Sequence, residues 1–156
     1  MKLVRAAKDQ FVFQLGAEEK HVLLHLLKLY PRLPPAHHRL SKEGRLPDPE
    51  ASQRLLDEAL AEQRAESKKK LHALLADPQR LKQNPHGWRL SLSSTEIEWL
   101  LQVLNDIRVG SWVLLGSPEE HLKTFNAQTA PHFWAMEMAG AFQMELLHLL
   151  EGKREA

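Results

Sequence analysis

One pattern recurs in the chain and limits its architecture more than any other. Phe11-x-Phe13-x-Leu15, followed by Glu19, Leu23 and Leu24, is matched 77 residues later by Trp88-x-Leu90-x-Leu92, followed by Glu96, Leu100 and Leu101. Apolar residues at every second position share one face of a strand, and leucines spaced at three to four share one face of a helix. Each half of the echo therefore reads as a short half-buried strand leading into a helix. Two such units in one chain predict that 11–15 and 88–92 pair as a two-stranded element with their helices stacked alongside.

Around these strands the signals are helical. Val22, Leu23, Leu26, Leu27 and Tyr30 form the stripe of a first helix over about 17–30, stopped by Pro31. Pro31, Pro34, Pro35, Pro47 and Gly44 make 31–48 a long proline-rich loop. Asp48-Pro49-Glu50 opens a helix to about 76, with an acceptor at the N-cap, proline at the first helical position and an acid in the first turn. Its middle, 61–70, is almost wholly polar, so its two apolar ends are expected to pack separately. Asn84-Pro85-His86-Gly87 is turn chemistry. Ser93 and Glu96 form a capping box for a helix over about 94–115. Ser117-Pro118 begins a short helix, and a last helix runs from about 130 to 151. The expected fold is mainly α: a small bundle of about five helices with a minor two-stranded β element, in one domain spanning 1–156.

Composition removes several function classes. The chain has no cysteine, which excludes disulfides and thiolate metal sites. Its first nine residues lack the apolar core of a secretory signal, and no run of about 18 apolar residues occurs. A cytoplasmic protein with no membrane contact is expected. Residues 1–90 carry 17 Lys/Arg against 11 Asp/Glu, whereas 91–156 carry 4 against 9. The simplest reading is two halves that neutralise each other by packing. A basic face for nucleic acid is the weaker one, because the basic residues are interleaved with acids.

Candidate chemistry concentrates in the helix over 94–115. Arg108 falls inside its apolar arc, where an unpaired charge is costly. It is expected to be buried against a carboxylate, Glu137 on the last helix first. Asn105, Asp106, Arg108 and Glu137 are thus the tentative binding residues, either as a structural ion pair or as the polar site of an enzyme. His21 and His25 share a helix face, but no acid completes a His-Glu-x-x-His pattern, so no metal is expected. No phosphate-binding glycine loop and no nucleophile elbow occur, and no cofactor is expected. Lys68-Lys69-Lys70 reads as a solvated face.

The segment Trp99-Leu100-Leu101-Gln102-Val103-Leu104-Asn105-Asp106-Ile107-Arg108 resembles the domain of unknown function 2017 family, small bacterial proteins best represented in actinobacteria. The resemblance extends from about Phe11 to Leu150. It implies a strand-like start, a Glu-rich first helix, a proline-broken middle and a mainly helical fold. It implies no activity, because the family has none established. Family members are often encoded beside the adaptor of the Clp protease.

The last helix is apolar on nearly every side, so it must lie at the centre of the domain or against another chain. Trp134, Met136, Met138 and Met144 are the candidate interface residues, since methionine adapts to partners and tryptophan anchors interfaces. A two-fold homodimer is the simplest closed arrangement. The function expected from these features is non-catalytic binding or regulation in the bacterial cytosol, through a protein partner or a second copy. An enzyme built on Asn105, Asp106, Arg108 and Glu137 is the alternative, with nucleic-acid binding behind it.

Overall fold

The computed structural model describes residues 1–33, 47–119 and 125–154. The two alternating segments do pair. Strand β2 (Gln10–Leu15) runs antiparallel to β4 (Gly87–Leu92), with Phe11 opposite Leu92, Phe13 opposite Leu90 and Leu15 opposite Trp88. The internal echo is a structural symmetry of the sheet.

The element is larger than two strands, however. β1 (Lys2–Ala7) adds to β2 and β3 (Leu81–Asn84) adds to β4, giving a four-stranded antiparallel sheet in the order β1-β2-β4-β3. Four helices accompany it: α1 (Ala17–Leu27), α2 (Pro49–Ala76), α3 (Ser94–Leu114) and α4 (Ala130–Arg154). The fold is α+β, which overturns the expected mainly α bundle of about five helices with a two-stranded element. Both added strands are edges, and edges carry weak patterns. In β1 the register shifts between Leu3 and Arg5, so the less exposed residues fall at Leu3 and Ala6, out of period two. β3 has one apolar residue, Leu81, in four. The turn at 84–87 is its hairpin: Asn84 pairs with Gly87, and Asn84 Oδ1 accepts from the His86 amide at 3.0 Å.

One face of the sheet supplies Phe13, Leu15, Leu90 and Leu92 to the core. Against it pack Leu23, Leu26 and Leu27 of α1, Ile97, Leu100, Val103, Leu104 and Ile107 of α3, and Ala135, Ala139, Phe142 and Leu146 of α4. α3 and α4 are the principal helix pair. They run antiparallel, since Gln143 lies beside Leu101 and Gly140 beside Arg108. The small residues Ala135, Ala139 and Gly140 allow that approach. α3 begins at the expected capping box, with the Glu96 amide donating to Ser93 Oγ at 3.1 Å and the Ser93 amide to Glu96 Oε2 at 2.8 Å.

α2 behaves differently. Ser67, Leu71 and Leu74 are buried, and the helix joins the sheet through β3. Leu55, in its N-terminal half, is 68% exposed, so the two apolar ends do not pack equally. Residues 117–119 are not helical; the rest of the expected short helix, and 34–46 of the proline-rich loop, lie outside the described residues. No helix among the described residues is long and apolar enough to cross a membrane.

Candidate functional site

Asp106 organises the polar interior beside α3. Beyond α1 the chain turns at Tyr30 and crosses α3 as a short strap, residues 31–33. Asp106 Oδ1 accepts from the Arg32 amide at 2.6 Å and the Leu33 amide at 3.2 Å. Arg64 of α2 donates to the Leu33 carbonyl at 2.6 Å and stands 3.9 Å from Asp106 Oδ2. One carboxylate and one guanidinium thus hold the strap between α2 and α3, and neither is left uncompensated. Gly110 makes the crossing sterically feasible. A Cβ there would sit 2.5 Å from the Arg32 carbonyl carbon and 2.6 Å from the Leu33 amide nitrogen.

The strap is also tied to α4. The Arg32 guanidinium lies 2.6 Å from His132 Nδ1. Arg32 has no proton acceptor of its own, so this nitrogen must accept, and the imidazole is neutral. Burial pushes the His132 pKa down, and the Arg32 charge pushes it further the same way. Behind the strap Tyr30 is buried and hydrogen-bonded to Ser67, and desolvation raises its phenol pKa.

The residues expected to converge do not all do so. Asp106 serves the strap. Arg108 is exposed, not buried, and its partners are amides: Nε donates to Gln143 Oε1 at 3.1 Å and Nη2 to Asn105 Oδ1 at 2.9 Å. Its stem crosses Gly140, and no ion pair with Glu137 forms. Helical side chains lean toward the helix N-terminus. On α3 that carries the Arg108 head toward Asn105 and Gln143. Because α4 is antiparallel, Glu137 lies the other way, exposed. Of the four candidate interface residues, Trp134 and Met138 are half-buried against the core, Met136 is half-buried, and Met144 is 74% exposed. The Trp134 ring meets the His25 ring edge-on, 5.4 Å between centroids.

Between α2 and α3 the packing stays open. Trp99 stands in this cleft with a cavity on each side. One, of about 190 Å³, is lined by Tyr30, Leu33, Arg64, Ser67 and Asp106 among others. The other, of about 520 Å³, lies between Lys70, Ala73 and Leu74 of α2, with the C-cap Asp77, and the start of α3. The Trp99 side chain lines both, while its indole N–H is itself buried and has no hydrogen-bond partner. Arg80 and Glu96 form an ion pair on the larger cavity's wall.

Sequence reasoning passed over Arg32, Arg64 and His132, which lie far apart in the chain and belong to no motif. Gly110 was the available signal: a glycine inside an apolar helix often marks a close approach. Among the described residues no group of three or more His, Cys, Asp or Glu could hold a metal ion. Comparison with protein-family models, with curated proteins and with solved structures found no match.

Proposed function

We propose that the chain is a non-catalytic binding protein of the bacterial cytosol whose ligand enters the cleft between α2 and α3 beside Trp99. One observation carries this reading: the polar groups of α3 are spent on the fold while the cleft is not filled. Asp106 holds two strap amides, and Arg108 and Asn105 bond to each other. A catalytic carboxylate or nucleophile needs a group aimed at a reacting atom, and Asn105, Asp106, Arg108 and Glu137 supply none. Trp99, by contrast, lines about 520 Å³ of unfilled volume, within the size range of small-molecule sites.

A thermal-shift screen with a panel of small organic acids, amines and alcohols tests the proposal, run on the protein and on Ala73→Trp, which fills the cavity. Compounds should stabilise the native chain and leave the filled variant unmoved. Equal responses in both would contradict it. A second reading, self-association through α4, has support in the exposure of Met144 (74%) and Leu147 (47%). Sedimentation at micromolar concentration tests it: a mass of 17.9 kDa throughout would remove it.

A further inference from the structure

We propose that the outer face of the sheet docks on the phosphate backbone of a nucleic-acid duplex and does so without reading its sequence. This surface is separate from the cleft between α2 and α3 and stands whatever that cleft binds.

The strand register gathers cations that lie far apart in the chain. Phe13, Leu15, Leu90 and Leu92 point into the core, so the residues between them point the opposite way. Directly opposite one another on that outer face stand Lys82, Arg89, Gln14 and Lys2, one from each strand, in a row of about 14 Å at ordinary strand spacing. The next row holds Ser91, Val12 and Arg5. Lys2, Arg5, Lys82 and Arg89 are exposed, and none of the four has an ion-pair partner among the described residues. The four strands contain no Asp or Glu. Two acids near the sheet ends are committed to the helix side: Asp9 accepts from the Ser94 amide at 3.0 Å, and Glu96 pairs with Arg80. Like charges directly opposite on a sheet repel and destabilise it. Lys82 against Arg89 is therefore an arrangement the fold does not need, and an anion laid across both relieves it.

The chemistry of the face selects the polyanion. Apart from its cations it presents mainly amides and small side chains, among them Gln10, Gln14, Asn84 and Ser91, and the amides of Gln14 and Asn84 bond to each other at 2.8 and 3.2 Å. Phe11, Phe13 and Trp88 lie on the core side, so no aromatic ring of these strands faces outward. Protein interfaces are built round aromatic anchors, and single strands are held by stacking bases on aromatic rings. A positive, polar face without either suits the ordered phosphates of a duplex. A four-stranded face is too broad to enter the major groove, which admits a helix or a two-stranded ribbon, so it touches backbone and not base edges.

Fluorescence anisotropy of a labelled duplex of about 20 base pairs, titrated with the full chain, tests the proposal. Four phosphate contacts predict a slope of log K against log salt of about −3.6, a loss of about 150-fold in affinity from about 50 to about 200 mM salt. Lys82→Gln combined with Arg89→Gln should halve that slope, to a loss of about 12-fold over the same range. The same variant should have a higher urea midpoint, because the repulsion across the two strands is gone; a lower midpoint would show the cations already partnered and overturn the proposal. A control carrying Lys68→Gln, Lys69→Gln and Lys70→Gln, on the exposed side of α2, removes more charge and should keep the native slope. A control that loses as much slope as the sheet variant would make net charge the cause and overturn the face. Tighter binding to the matching single strand, or to vesicles of phosphatidylcholine and phosphatidylserine, would assign the face to that ligand and overturn the duplex. No binding at about 50 mM salt also overturns the proposal.

Discussion

Gly110 and Gly140 are both helix-interior glycines, and alanine should act on them with opposite sign. Replacing glycine by alanine inside a helix gains about 0.8–1 kcal/mol from backbone entropy alone. At Gly140 the new methyl would meet only Arg108 Cδ at 3.5 Å, an ordinary contact, so the gain should survive. At Gly110 the methyl would lie 2.5–2.8 Å from three backbone atoms of Arg32 and Leu33. Backbone cannot rotate aside, so the strap must lift. Overpacking of this kind costs about 1–3 kcal/mol, and each weakened hydrogen bond to the Asp106 carboxylate adds up to about 1.5 kcal/mol or more. Gly110→Ala should therefore lose about 2–4 kcal/mol net, and Gly140→Ala should gain about 0.5–1 kcal/mol. Urea denaturation followed by circular dichroism reads both, with an unchanged slope as the check that the unfolding reaction is the same. A Gly110→Ala protein as stable as the native one would refute the strap's close seat on α3.

The other predictions concern the same polar groups. Asp106→Ala strands two amides and the Arg64 guanidinium, and its denaturation midpoint should fall by the equivalent of about 2–4 kcal/mol. Arg108→Met should cost less than about 1 kcal/mol, because the arginine is exposed and its partners are neutral amides; a loss above about 3 kcal/mol would put it back in a buried ion pair. For His132 the sign follows from its depressed pKa. The unfolded chain takes up this proton first as pH falls below about 6.5, so the stability present above that pH is lost as pH drops toward the folded value. Thermal melts from pH 8 to 5 should show a steeper acid loss in the native protein than in His132→Gln, and parallel curves would contradict the Arg32 contact.

Much of the fold was legible because period and punctuation agreed. Phe11, Phe13 and Leu15 announced β2 through alternation, and Trp88, Leu90 and Leu92 did the same for β4, so their pairing could be expected. Asp48-Pro49 and Ser93/Glu96 marked the starts of α2 and α3 through local chemistry that tertiary context did not override. β1 stayed hidden because its register shift breaks the period of two, and β3 because it has a single apolar residue to show, Leu81. The candidate site was legible in part. Asp106 was singled out, but its partners are main-chain amides of residues 32 and 33, and a backbone donor leaves no trace in composition. The Arg108 pairing failed for a geometric reason: placement on a helical arc says which face a residue occupies, and the lean of its side chain says whom it reaches.

The indole signals of Trp88, Trp99, Trp112 and Trp134 offer the most direct measurement of the binding role. Each appears separately in a ¹⁵N–¹H spectrum and can be assigned by Trp→Phe substitution. Trp112 is an internal reference, since its N–H already donates to the Pro118 carbonyl at 3.0 Å. On titration with a compound that stabilises the protein in the thermal-shift screen, the Trp99 signal should move progressively and saturate as the ring beside the ligand changes environment, while that of Trp112 stays fixed. A Trp99 signal that does not move at concentrations where the compound stabilises the protein would contradict a ligand site in the cleft.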